Sequence, residues 1–145
     1  MEGVWEKRLK VLPDERGRLM EILRNDEEIF SRFGQVYITT VWPGVVKAWH
    51  AHERQRDYLG CVVGMIKLVL FKQETEEIRE YFIGEHNPLL ISIPPGIWHG
   101  FKGCGDTEAV IINCPDSLYN YNEPDELRLD PHSGRIPYDW SRRDG

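Results

Sequence analysis

The stretch GVVKAWHAHERQRDYLGCVVG, from Gly44 to Gly64, carries the strongest structural signal in the chain. Side chains alternate between the two faces of an extended strand, so His50 and His52 fall on the same face. Asp57 follows after a short polar turn, at the start of a second apolar run. Because glycine suits tight bends, Gly44 and Gly64 fit the two ends of the unit. The stretch therefore predicts two neighbouring strands that carry two imidazoles and a carboxylate.

Short runs of β-branched and aromatic residues follow one another from Gln35 onward, and each ends at glycine, proline or a polar group. Eight short strands with tight turns predict an all-β domain, a β-barrel or jelly roll. One short N-terminal helix is also expected, because Asn25 and Asp26 can cap an amphipathic run that reaches Phe33. The expected strands lie at about 35–42, 45–52, 57–63, 65–72, 78–83, 89–93, 98–102 and 107–114.

Length and composition indicate a single domain over residues 1–145, since a chain of this size can bury a stable core without disulfides or a structural metal. Residues 115–145 are rich in Pro, Asp, Asn and Tyr, and we expect an ordered extension that packs on the barrel.

The net charge of −6 disfavours nucleic acid and anionic membranes as partners. The chain has no apolar run near the ~20 residues of a membrane span, and its first residues lack a signal-peptide stretch. We therefore expect a cytoplasmic protein.

Two motifs resemble those of the cupin superfamily. The first is the spacing of His50, His52 and Asp57 between Gly44 and Gly64, and the second is PPGIWHGF, which contains His99. The resemblance implies a cupin-type β-barrel with a small polar site around His50 and His99. Cupins use this pocket for several reactions, so the superfamily alone leaves the chemistry open.

A closer resemblance, over nearly the whole chain, is to the family of dTDP-4-dehydrorhamnose 3,5-epimerases. It is carried by DERGRLMEI (Asp14 to Ile22), by the segment from Phe33 to His50, by IPPGIWHGF (Ile93 to Phe101) and by YNYNEPDELRLDP (Tyr119 to Pro131). It implies an isomerase of polysaccharide biosynthesis that epimerises a dTDP-linked 4-keto-6-deoxyhexose without a cofactor. It also implies a homodimer.

By this resemblance His50 is the base that removes the protons at C3 and C5 of the sugar, which the adjacent ketone acidifies. The family orients its base with an Asp near the C-terminus, which corresponds here to Asp144, with Asp139 as a second choice. The resemblance also implies contacts with the nucleotide or sugar from four residues, Arg16, Glu21, Gln35 and Tyr119.

Two positions depart from the family. Its Lys falls on Asp57, and its proton-donating Tyr falls on Ile112. An enolate needs a nearby positive charge or hydrogen-bond donor, and an inverted carbon needs a returning proton. The groups left for these roles are Lys47 and His99 for the charge, and Tyr121 or Tyr119 for the proton.

Two other functions stay open at this point. His50, His52, Asp57 and His99 offer three imidazoles and one carboxylate, a ligand set that suits a divalent transition metal. The chain would then be a metal-dependent cupin enzyme rather than one without metal. The departures at Asp57 and Ile112 also allow a cupin that binds a nucleotide sugar without turning it over. Which sugar and nucleotide are bound, and whether one or two carbons are epimerised, is left open.

Overall fold

The computed structural model describes all residues, 1–145, as twelve strands with turns and loops between them. The strands are β1 (Trp5–Arg8), β2 (Val11–Asp14), β3 (Gly17–Met20), β4 (Tyr37–Val41), β5 (Val46–Ala51), β6 (Asp57–Val63), β7 (Met65–Lys72), β8 (Glu77–Gly84), β9 (Leu89–Ile93), β10 (Trp98–Gly103), β11 (Ala109–Asn113) and β12 (Leu127–Arg128). The eight strands expected from the sequence are β4 to β11, and their ends lie within two residues of the expected ones. The chain contains no helix long and apolar enough to cross a membrane.

Ten of these strands form two antiparallel sheets of five. The first, here called sheet A, has the order β1-β9-β6-β11-β4, and the second, sheet B, has the order β12-β5-β10-β7-β8. Strands β2 and β3 form a separate hairpin. The expectation of a closed barrel is therefore wrong. One isolated bridge, Pro43 to Gly103, links the sheets where the chain passes from β4 to β5, but each sheet keeps two edge strands, so the fold is an open sandwich.

The expected N-terminal helix is also wrong, because residues 25–29 form turns and residues 30–33 have no regular secondary structure. The hydroxyl of Tyr58, on sheet A, donates to the Ile29 carbonyl and accepts from the Ser31 N–H, both at 2.8 Å. These are the backbone groups that a helix would pair internally. The segment instead lies over the outer face of sheet A, where Ile22 and Ile29 pack near Tyr58. Tertiary contacts therefore override a capping signal too short to form a stable helix alone.

The main core lies between the sheets and follows the alternation of strand side chains. Ile66, Leu68 and Leu70 of β7 all point into it and are fully buried. On β9, Leu89, Ile91 and Ile93 do the same from the opposite sheet. The outward residues of sheet B form a second apolar cluster.

The C-terminal segment covers that second cluster. Ile136 and Trp140 are buried against Trp49 of β5, with the Trp49 and Trp140 ring centroids 5.0 Å apart. Lys102 Nζ also donates to the Trp140 carbonyl at 2.7 Å. The end of the chain thus lies on the outer face of sheet B, and only the earlier part of the extension reaches the space between the sheets.

Candidate functional site

A cavity of about 520 Å³ lies between the two sheets. Strand β5 contributes His50 and strand β10 contributes His99, which are paired across the two strands. Their ring centroids are 6.3 Å apart, so both imidazoles project into the same cavity. Sheet A supplies the facing wall through β4, β6 and β11.

His50 is held by a carboxylate. Its Nδ1 lies 3.0 Å from Oε1 of Glu126, whose other oxygen accepts from Arg128 at 2.8 Å. Burial raises the pKa of Glu126, but the hydrogen bonds from Arg128 and His50 outweigh this and leave it below its usual value. An ionised carboxylate can only accept, so Nδ1 carries the proton and Nε2 keeps its lone pair. Burial lowers the pKa of His50 by more than Glu126 raises it. The ring is therefore neutral at neutral pH.

Glu126, rather than Asp144, is the carboxylate that contacts and orients His50. Arg128 of β12 pairs with His50 of β5, and this places Glu126 beside the imidazole. Asp144 lies with the tail on the other side of sheet B, bonds to Arg142 at 2.7 Å and does not line the cavity. Asp139 accepts from Ser141 on the same outer side. The only sequence signal for Glu126 was its position in the acidic turn.

Below His50, a buried carboxylate joins four side chains. Oδ2 of Asp57 lies 3.2 Å from Nε2 of His52 and 3.4 Å from Nε2 of His99. Oδ1 accepts from Gln55 at 2.8 Å and from Asn113 at 2.9 Å. Because only 2% of the Asp57 side chain is exposed, these partners must replace the lost water.

The two histidines of this cluster carry different charges. Burial lowers the pKa of His52, but the hydrogen bond to Asp57 and its charge outweigh that and raise the pKa to about 9. Burial lowers the pKa of His99 by more than the charge of Asp57 raises it. At neutral pH the cluster therefore holds one imidazolium, at His52, one carboxylate and a neutral His99. The positive charge expected of His99 thus lies on His52, which follows the neighbouring strand β5.

Other residues expected at the site line the upper part of the cavity. Lys47 donates to Oγ1 of Thr39 across the two sheets at 3.2 Å. Gln35 accepts from the Tyr119 N–H at 3.4 Å, and the ring of Tyr121 lies 5.0 Å from that of Tyr119. All five residues border the cavity, so the loop after β11 folds over its opening.

Arg16 and Glu21 lie elsewhere. The Arg16 side chain is 85% exposed in the turn of the β2–β3 hairpin and pairs with Asp14. Glu21 follows the hairpin and pairs with Arg24. Neither residue lines the cavity of its own chain.

The sequence did not indicate two polar residues of sheet A, Tyr37 and Asn113, that line the cavity. Asn113 Nδ2 donates to the Tyr37 hydroxyl at 2.9 Å. On β11 the residues that face the cavity are Ile111 and Asn113, whereas Ile112 has the opposite orientation. The inward positions of β11 therefore lie on either side of the one expected from the resemblance, and neither carries an ionisable group.

Comparison with known proteins assigns the chain to a family. Residues 12–127 match the model of the polysaccharide biosynthesis C-terminal domain. The chain belongs to this family. A probable low-salt glycan biosynthesis epimerase of Haloferax volcanii is 40% identical to this chain over 140 residues, which cover 92% of this chain and 90% of that protein. The resemblance to the dTDP-4-dehydrorhamnose 3,5-epimerases is confirmed.

Two further relatives agree with this assignment. The spore coat polysaccharide biosynthesis protein SpsL of Bacillus subtilis is 35% identical, over 97% of both chains. The crystal structure of a dTDP sugar isomerase from Desulfovibrio desulfuricans superposes with a TM-score of 0.91 at 32% identity, over 99% of this chain and 94% of that one. The similarity to both extends over the hairpin, both sheets and the C-terminal segment.

We expect Asp57→Asn to remove the charge that keeps His52 protonated. The pKa of His52 should then fall from about 9, because only the smaller contributions of Asp125 still oppose burial. Since protonation of His52 stabilises the folded wild type, its free energy of unfolding should decrease as pH rises from 6.5 to 9, and this decrease should be smaller in the variant.

Imidazole NMR titration measures the first effect, and urea unfolding at several pH values measures the second. Asp106→Asn, which removes an exposed carboxylate from the turn before β11, is the matched control and should behave as wild type. A His52 that titrates equally in wild type and Asp57→Asn would contradict the proposed ion pair.

Proposed function

We propose that this protein is a nucleotide-sugar 3,5-epimerase that acts on a dTDP-linked 4-keto-6-deoxyhexose in polysaccharide biosynthesis and needs no cofactor. The observation that carries the proposal is the His50–Glu126 pair, at 3.0 Å, on the wall of a cavity large enough for a sugar ring. A relative with a TM-score of 0.91 is a dTDP sugar isomerase, which supports the same class of substrate.

The reaction begins with proton removal next to the C4 ketone. The neutral Nε2 of His50 takes the proton from C3 or C5, and the electron pair of the C–H bond becomes the enolate. Glu126 holds the ring and stabilises the imidazolium that forms, as a carboxylate does for a general base. Because burial lowers the pKa of His50, the base is already deprotonated at neutral pH.

The enolate oxygen needs a positive charge, and Asp57 cannot supply one. Three cationic side chains line the cavity instead, Lys47, the His52 imidazolium and Arg128. Arg128 pairs with Glu126, so we assign this role to Lys47 and His52. Pairing with Asp57 is what keeps His52 protonated, so the carboxylate acts through its partner rather than on the substrate. Preorganised electrostatic stabilisation of this kind is usually the largest single contribution to catalysis.

Solvent deuterium exchange tests this proposal. Incubation of the protein with dTDP-4-keto-6-deoxyglucose in D₂O should place deuterium at C3 or C5, observed by NMR as loss of the proton signal. His50→Ala should slow the exchange by about 100- to 10,000-fold, the usual contribution of a general base. His132→Ala, on the exposed tail outside the cavity, should exchange at the wild-type rate.

An absence of exchange in the folded wild-type protein would reject the epimerase. If calorimetry still showed tight binding of dTDP, the protein would instead be a cupin that binds a nucleotide sugar without turning it over.

A metal-dependent enzyme is the second candidate, favoured by one observation. The donor atoms of His52, Asp57 and His99 all lie within 4.8 Å of one another. Nδ1 of His52 contacts the Asp125 carbonyl and Nδ1 of His99 lies 3.1 Å from the Ile97 carbonyl, which leaves both Nε2 atoms as possible ligands. Two imidazoles and one carboxylate fit a divalent transition metal, which would polarise the ketone as a Lewis acid. His50 lies outside this group.

Elemental analysis separates the two candidates. The metal-dependent enzyme predicts about one transition metal per chain after purification from supplemented medium, lost in His52→Ala and kept in His50→Ala. Wild-type protein that exchanges deuterium at full rate with only trace metal would exclude a metal-dependent reaction.

We also propose a cytoplasmic homodimer. The hairpin exposes Leu12 and Leu19, and the free edge of sheet A exposes Ile38, each between 47% and 64% accessible, which is typical of a surface that pairs. Arg16 and Glu21 can contact substrate only if a second copy places its hairpin at this cavity, since in their own chain they do not line it.

Light scattering should give about twice the chain mass of 17.0 kDa. Ile38→Glu should shift the protein toward the monomer, because it places a charge on this edge, whereas Phe82→Glu, at another exposed position, on β8, should not. A monomeric wild type at micromolar concentration would contradict the proposal.

A further inference from the structure

Inversion of a carbon requires two groups on opposite sides of the sugar ring, one to remove a proton and one to return it. His50 lies on sheet B, so the second group must come from the facing wall, formed by sheet A, or from the loop over the opening. Strand β11, between β4 and β6 in that wall, presents Ile111 and Asn113, and neither side chain can act as an acid.

Tyr37 is the phenol that sheet A presents to the cavity. It lies on β4, where it pairs with Asn113 of β11, and its hydroxyl end is buried although 43% of the residue is exposed at the sheet edge. Burial raises the pKa of Tyr37, and so do the charges of Asp57 and Glu126, which keeps the phenol protonated.

The hydrogen bonds around Asn113 fix the direction of the Tyr37 proton. Oδ1 of Asn113 accepts from the Tyr58 N–H at 3.1 Å, so the other amide atom is the nitrogen. Its two hydrogens go to Oδ1 of Asp57 and to the Tyr37 hydroxyl, each at 2.9 Å. Tyr37 thus accepts from Asn113 and has no acceptor within the chain, so its own O–H is free to point toward a ligand in the cavity.

The tail tyrosines are less suited to this role. Tyr121 is 88% exposed and Tyr119 is 41% exposed, and both lie on the loop over the opening rather than on a strand. The hydroxyl groups of both make no hydrogen bond within the chain, so no contact directs either of them. A proton donor must be held near the reacting carbon, which favours a strand residue.

We propose that the Tyr37 hydroxyl is the acid that returns a proton to the substrate carbon on the face opposite His50. This inference rests on the proposed epimerase function. His50 Nε2 takes the proton from one face and the C–H electron pair forms the enolate. The O–H bond of Tyr37 then breaks, its proton bonds to the same carbon on the other face, and the phenolate keeps the electron pair. Solvent afterwards takes the proton from His50 and gives one to Tyr37.

Tyr37→Phe tests the proposal, because it removes the hydroxyl and keeps the ring. In D₂O with dTDP-4-keto-6-deoxyglucose, His50 should still remove the proton and return deuterium to the same face. Exchange into recovered substrate should therefore stay within a few-fold of wild type, while inversion falls by about 100-fold or more. NMR follows exchange and inversion at C3 and C5 in one sample. Water in the cavity can accept the Asn113 hydrogen bond in place of the hydroxyl, so the variant should fold, which thermal unfolding checks.

Tyr138→Phe, which removes a phenol hydroxyl from the outer face of sheet B, is the matched control and should keep the wild-type ratio of inversion to exchange. An unchanged ratio in Tyr37→Phe would overturn the assignment, as would a loss of inversion in Tyr121→Phe alone. Equal loss of exchange and inversion in a folded Tyr37→Phe would also overturn it, since the residue would then act in binding. Wild-type protein with neither exchange nor inversion would instead reject the epimerase itself.

Discussion

The buried carboxylate of Asp57 ties the two sheets together at the cavity. Its partners come from both: His99 belongs to sheet B, His52 and Gln55 to the connection between β5 and β6, and Asn113 to sheet A. A lone charge at this depth would be strongly destabilising, whereas one with four partners is tolerated and fixes their positions. The apolar core must therefore end here, and the polar groups that satisfy Asp57 also line the space left for a ligand.

The same carboxylate accounts for the departure from the family's lysine. A lysine would place one positive charge at this point of β6. The chain instead places a negative charge there and, through it, an imidazolium on His52, whose pKa is raised to about 9. The charge that faces the cavity is still positive, but it now depends on an ion pair. Replacing Asp57 by a lysine in this context would place two cations side by side and disrupt the cluster rather than restore the family arrangement.

The sequence predicted the parts of the structure that depend on local patterns. Alternating apolar residues located strands β4 to β11, and the spacing of His50 and His99 within their motifs indicated one common cavity. Closure of the sheets could not be predicted this way, because it depends on whether edge strands meet and not on the pattern within a strand. The helix prediction failed for a related reason, since the hydroxyl of Tyr58 takes the backbone groups that a helix would use.

The orienting carboxylate was missed because it depends on a two-residue strand. Leu127 and Arg128 pair with β5, and without that pairing Glu126 would be one acid among several in a polar loop. The prediction of which β11 residue faces the cavity was wrong by one position, and a shift of one position exchanges the inward and outward faces of a strand. Both errors concern register, which a single sequence encodes weakly where the segments are short.

Asn113 gives the cavity a further property through its two donated hydrogen bonds. It connects Tyr37 on one side to Asp57, and through Asp57 to the His52 imidazolium. An amide can donate to both neighbours, but it does not take up a proton and pass it on, so the acidic phenol and the carboxylate–imidazolium pair stay separate in protonation. A histidine or a water at this place would allow the proton of His52 to pass by way of Asp57 to a Tyr37 phenolate. With an amide there, the phenolate can regain its proton only from the solvent side of the cavity, after the inverted carbon has already received its own.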